Sequence, residues 1–118
     1  MALISDAIMP AGLGDGDFSV WGENITVRNG KTALARQPGE STIAGSVITM
    51  RQALENVVNL GVPIHEAVRM ASLVPARAAG FGSAQGSILE GKRADLIAFD
   101  DDLTMNSSVI ENLLTTRQ

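Results

Sequence analysis

The stretch from Thr49 to Gly80 limits the fold more than any other part of the sequence. Met50, Ala53, Leu54, Val57 and Val58 recur at intervals of three and four and make one apolar stripe. Thr49 followed by Gln52 matches a capping box, in which two side chains satisfy free amides of a first helical turn. Gly61 stands where a left-handed C-terminal cap belongs, so this helix is expected over residues 49–60. Pro63, a favoured first-turn residue, opens a second helix with the stripe Ile64, Ala67, Val68 and Ala71. A third, short helix is expected from Pro75 to Gly80. Helices with one apolar face need a second layer to cover it.

Strand-like sequence lies on both sides of the helices. Residues 2–6 read as a short buried strand, and residues 9–17, "MPAGLGDGD", as a loop rich in glycine and proline. "GLGDG" lacks the GxGxxG spacing and no apolar helix follows it, so it reads as a mobile loop and not as a phosphate cradle. "ITVR" and "KTAL" flank Asn29-Gly30, the dipeptide favoured for a type I′ hairpin turn. "FSVW" adds a possible third strand, and "ARQPGEST" is a second loop. After the helices come short β-rich runs separated by Gly and Asp. The order is strand, hairpin, three helices, then strands, which makes the class α/β.

Composition narrows the function. The chain has 118 residues, 45% hydrophobic and 19% charged, enough to bury a core. Its net charge of −4, without a basic run, argues against nucleic acid as a partner. It has no cysteine, hence no thiolate zinc site. No apolar run reaches the ~18 residues of a membrane helix, and no signal peptide is visible. The expected location is cytoplasmic, so the glycosylation patterns at Asn24 and Asn106 read as chance. The run Asp100-Asp101-Asp102 reads as a solvated turn.

Three places could carry chemistry. Asp6 ends the first apolar run, where α/β barrels present catalytic groups at the carboxyl ends of strands. A carboxylate there can accept a proton from an attacking water. By itself, an acid that ends a strand is more often a turn former or a helix cap. His65, the single histidine, lies off the apolar stripe and reads as a solvent-exposed helix residue. Alone, it cannot build a histidine-based zinc site. Gly45 and Ser46 precede the helix at Thr49. Their amides could hold a ligand oxygen, or the segment is a flexible helix entry.

The motifs "SDAIMPAG", "VRNG", "TIAGSVITM", "ALENVVNLGVPIHEAVRMASLVPARAAGF" and "GSILEGKRADLIAFD" occur here in an order that resembles one family. The chain is similar, from Leu3 to about Ile110, to the C-terminal third of the N-acetylglucosamine-6-phosphate deacetylases, within the amidohydrolase superfamily. "GSILEGKRADLIAFD" is shared across the superfamily; "SDAIMPAG" followed by "AGSVITM" points to the sugar-phosphate deacetylases.

The resemblance implies a C-terminal fragment of a metal-dependent-hydrolase TIM barrel over residues 1–80, and a β-sandwich segment over 81–118. It implies that Asp6 is the catalytic aspartate, which takes a proton from metal-bound water and passes it to the leaving amine. It implies that Ile43, Ala44 and Gly45 contact the sugar phosphate through their backbone. The implied cofactor is a divalent metal, zinc or iron, whose glutamate and two histidine ligands lie upstream in the family and are absent here. The tail "IENLLTTRQ" lacks the family's glycine turn, so a final hairpin is not expected.

A whole barrel of this kind takes ~250 residues. The chain is therefore expected to be a fragment, a truncated gene product or one part of a split enzyme, inert alone and prone to self-association or to pairing with the missing barrel portion. Two other readings stay open. One is a different amidohydrolase, dihydroorotase-like or deaminase-like, which would share "SDA" and "GKRADL" but lack "AGSVITM". The other is a non-catalytic assembly module.

Overall fold

A computed structural model describes residues 1–34, 42–103, 105–110 and 113–116. Most of the expected loop "ARQPGEST" lies outside the described residues. The chain divides into two compact units, Ile4–Ala53 and Leu54–Gln118 together with Met1–Leu3.

The first unit is built on a three-stranded antiparallel meander of β1 (Gly16–Val20), β2 (Glu23–Arg28) and β3 (Lys31–Leu34). Asn29 and Gly30 have φ of +51° and +70°, the left-handed pair that a type I′ turn requires. The Asp15 carboxylate accepts from the Asn29 amide at 2.6 Å and from the Gly30 amide at 3.4 Å, which fixes the turn from outside. β1 joins β2 through a second tight turn, Trp21-Gly22, with φ of +52° and +83°. The sequence hides this turn, because tryptophan carries no turn signal; its side chain is 91% exposed.

β2 alternates as expected. Ile25 and Val27 point inward, and Val27 is only 1% exposed. β1 takes Gly16 and Asp17 from the end of the expected loop.

Arg28 reaches back across the sheet to Asp17, with Nη2 at 2.9 and 3.1 Å from the two carboxylate oxygens. The hydrogen bond from Arg28, then that from Thr26, holds the Asp17 carboxyl below its ordinary value. A lowered folded value means that the contribution is fully present above the unfolded value of about 3.9 and is lost as pH falls through the folded one. The site is exposed and screened, so the effect is small. Asp17→Asn is expected to lower the urea midpoint slightly at pH 7 and not at pH 2. An equal loss at both pH values would show that the charge plays no part.

The expected buried strand over residues 2–6 does not form. The segment makes one parallel bridge at its end, Ala7 to Ser46, and an isolated hydrogen bond from the Leu3 amide to Met70 O at 2.8 Å, and Ile4 is 74% exposed. A strand needs neighbours along its whole length for its backbone donors and acceptors, and this segment finds them only at separate points, Met70 for Leu3 and Ser46 for Asp6.

In the second unit lies most of the helical layer. The unit boundary falls within α1 (Met50–Asn59). The Thr49–Gln52 capping box is present: the Thr49 amide donates to Gln52 Oε1 at 2.8 Å, and the Gln52 amide to Thr49 Oγ1 at 3.2 Å. At the other end Gly61 (φ +94°) closes a Schellman cap, Val62 N–H to Val57 O at 3.1 Å and Gly61 N–H to Val58 O at 2.9 Å. α2 (Ile64–Ala71) follows Pro63, as expected.

α3 spans Leu73–Ala78, so Pro75 is inside its first turn and does not open it. Ser72 joins the two helices: its hydroxyl donates to Val68 O at 2.6 Å, and its carbonyl accepts from Ala76 N–H at 3.0 Å. Proline is tolerated there because a first-turn amide has no helical partner to lose. Gly80 and Phe81 form a second Schellman cap on Arg77 O and Ala76 O. Gly86 (φ +88°) lies hard against α3; a Cβ there would stand 2.7 Å from Ala76 Cβ.

β4 (Leu96–Phe99), β5 (Met105–Ile110) and β6 (Leu113–Thr116) form a second antiparallel meander. β5 pairs with β6 from Ile110–Leu113 to Ser107–Thr116. The final hairpin therefore forms without a glycine at its turn, a correction to the sequence reading. Residues 111 and 112 lie outside the described residues. Asp100, Asp101 and Asp102 form the expected exposed turn, closed by Leu103 N–H to Asp100 O at 2.9 Å.

Candidate functional site

The first unit brings Asp6 and the segment Ile43–Gly45 together, although nearly forty residues separate them in sequence. A Cβ added to Gly45 would lie 2.9 Å from the Asp6 carbonyl oxygen, 3.6 Å from Asp6 Oδ2 and 2.7 Å from Ile8 Cγ2. Only glycine fits here, and its φ of +64° demands glycine a second time.

Ser46 ties the two segments. Its amide donates to Asp6 O at 2.8 Å, and its carbonyl accepts from the Ile8 amide at 2.9 Å. Its hydroxyl donates to Ser5 O and accepts from the Ile48 amide at 3.3 Å. Asp6 itself has φ of +50°, a left-handed conformation that aspartate visits more readily than most residues. Its carboxylate is exposed, so it is open to a reactant.

The sequence named Asp6, Ile43, Ala44 and Gly45 but missed the roles of Ser46 and Thr32. The Ser46 amide is spent on Asp6 and is not free for a ligand oxygen. Nor is this a loose helix entry, since bonds on both sides pin it. Thr32 in β3 is buried, 6% exposed, and its Oγ1 donates to Gly45 O at 2.8 Å. The signal for Thr32 was a hydroxyl at an inward position beside the apolar Leu34. Ala44 is half-buried, and Ile43 is 84% exposed beside it.

Among the described residues no three His, Cys, Asp or Glu side chains converge. His65 is exposed, 3.9 Å from Glu66 Oε1, as the sequence suggested for a helix-surface residue. The donors in this part of the chain do not fit a complete zinc or iron site. Asp6 presents an exposed carboxylate on a backbone pinned by Ser46, a group able to accept a proton.

The amidohydrolase family model matches residues 16–116, well over half of the chain. The chain belongs to the amidohydrolase family.

Its relatives are sugar-phosphate deacetylases. The N-acetylgalactosamine-6-phosphate deacetylase of Escherichia coli O157:H7 is 36% identical over 98% of this chain and 30% of its own length. A protein of Escherichia coli K12, provisionally named for the same activity, is also 36% identical, over 98% of this chain and 68% of its own. The crystal structure of N-acetylglucosamine-6-phosphate deacetylase from Pasteurella multocida superposes with a TM-score of 0.90 at 31% identity, over 98% of this chain and 30% of that one. This amidohydrolase thus spans under a third of the longer relatives. Among the described residues no helix is long and apolar enough to cross a membrane.

Proposed function

We propose that this chain is the C-terminal part of a deacetylase that hydrolyses N-acetylglucosamine 6-phosphate to glucosamine 6-phosphate and acetate in the cytoplasm. The observation that carries the reading is the closure of "AGS" onto "SDA": Gly45 and Ser46 seat directly against Asp6. The likeness to the Pasteurella multocida enzyme supports it.

In this reading residues 1–80 complete a TIM barrel and 81–118 a β-sandwich. The Asp6 carboxylate accepts a proton from the water that attacks the acetamide carbon. As the C–N bond breaks, Asp6 returns that proton to the departing nitrogen, which leaves as the amine while the acetyl group leaves as acetate. Ile43, Ala44 and Gly45 present backbone groups to the sugar. The divalent metal, zinc or iron, is held by residues outside this chain.

Exposed apolar side chains support pairing with that remaining portion. Ile4 and Ile43 in the first unit, and Leu60, Ile88 and Ile97 in the second, are all more than half exposed.

A second reading, the galacto epimer as substrate, is favoured by the 36% identity to the N-acetylgalactosamine-6-phosphate deacetylase. Both readings share the same bond cleavage.

The test is acetate release from both sugar phosphates. The purified chain alone should release none. Co-expressed with the upstream portion of either relative, it should restore turnover, and the epimer with the higher kcat/KM identifies the substrate. Turnover by the chain alone would refute the reading of it as one part of an enzyme.

A further inference from the structure

Asp6 is held in an uncommon backbone conformation, and a single peptide unit connects it to the first β-meander. The carbonyl of the Gly45–Ser46 peptide accepts from Thr32 Oγ1 at 2.8 Å. The amide of the same peptide donates to Asp6 O, also at 2.8 Å. A trans peptide is a rigid plate whose C=O and N–H point in opposite directions. The two bonds therefore act on one plate from its two ends, and tilting one end tilts the other.

The Thr32 end is firm. Thr32 is buried in β3 and pairs across the ladder with Val27, the most buried residue of β2. The Asp6 end needs support. A non-glycine residue at φ +50° persists only where its surroundings hold it. Ser46 O also accepts from Ile8 N–H, so the plate's neighbour grips the chain on the far side of Asp6.

We propose that Thr32 is a positioning residue for Asp6, acting through the Gly45–Ser46 peptide. The meander thereby sets the angle at which the carboxylate meets its water. The inference rests on the reading of Asp6 as the proton acceptor.

The test compares Thr32→Val, which keeps the shape and deletes the hydroxyl, with Thr32→Ser, which keeps the hydroxyl. In the enzyme completed with an upstream portion, Thr32→Val should lower kcat per folded molecule about 10-fold, since small misplacements of a reacting group carry large rate costs. It should also shift the acid limb of the kcat–pH profile, and Thr32→Ser should restore both.

A readout independent of activity comes from NMR of the 118-residue chain. The Ser46 amide should be protected from hydrogen exchange in the wild type and in Thr32→Ser, and should lose protection in Thr32→Val. The idea is overturned if Thr32→Val keeps the wild-type kcat and acid limb while only the yield of folded enzyme drops. It is equally overturned if the wild-type Ser46 amide exchanges at the free-peptide rate, or if Thr32→Ser fails to restore. Full activity in Asp6→Asn is a different result: it removes the role of Asp6 and with it the proposed function.

Discussion

Asp6→Asn in the completed enzyme is expected to lower kcat by about 10²–10⁴-fold, the range for losing a general acid–base group. The fold should survive. The hydrogen bonds that fix Asp6 run through main-chain atoms, from the Ser46 amide to Asp6 O and, just beyond it, from the Ile8 amide to Ser46 O. Asparagine has nearly the same size and enters the left-handed region as readily. It cannot accept and return a proton, so kcat should fall far more than KM rises. Steady-state kinetics together with circular dichroism separate the two effects. Retention of more than about a tenth of kcat, well above that range, would remove Asp6 from proton transfer.

Gly45→Ala is expected to damage both stability and activity. The added Cβ would sit 2.7 Å from Ile8 Cγ2 and 2.9 Å from the Asp6 carbonyl oxygen. The second of these is backbone, which can yield only by moving Asp6. Overpacking costs about 1–3 kcal/mol, and an alanine at φ +64° adds about 1–2 kcal/mol. We therefore expect a loss of about 2–5 kcal/mol in chemical denaturation.

Displacement of Asp6 by about 1 Å should also lower turnover about 10²-fold in the completed enzyme. Gly14→Ala provides the comparison: Gly14 has φ of +81° but nothing within 4 Å of its absent Cβ. It should show only the conformational cost and no loss of turnover. If the two variants behave alike, the close approach of Gly45 to Asp6 has no functional weight.

Legibility varied with how local the determinant was. α1 was readable to within a residue at each end, because its cap pair and closing glycine are adjacent in sequence. The Asn29-Gly30 turn was readable for the same reason. Pro75 misled, because Ser72 had already started α3 by accepting from Ala76, and no sequence rule weighs that against a proline. Trp21-Gly22 was missed because the strands on either side impose the turn on an unfavourable residue. The last hairpin was missed because the sequence reading looked for a glycine turn, and the strands pair without one.

For the site, Asp6 and Ile43–Gly45 were found through the order of family motifs, since position alone favoured Asp6 as a turn former or cap over a base. The apolar run at residues 2–6 suggested a buried strand, but apolarity says only that a segment can be buried, not that neighbours are present to bury it.

By itself, the sequence determined what depends on neighbours in the chain: the α1 caps, the Asn29-Gly30 turn, the α/β order and the family. Only the tertiary structure decided that Ser46 binds Asp6 and that Thr32 stands behind Gly45. Those bonds join segments 13 or more residues apart, and their existence depends on angstrom-scale closure of a loop, which no local pattern encodes.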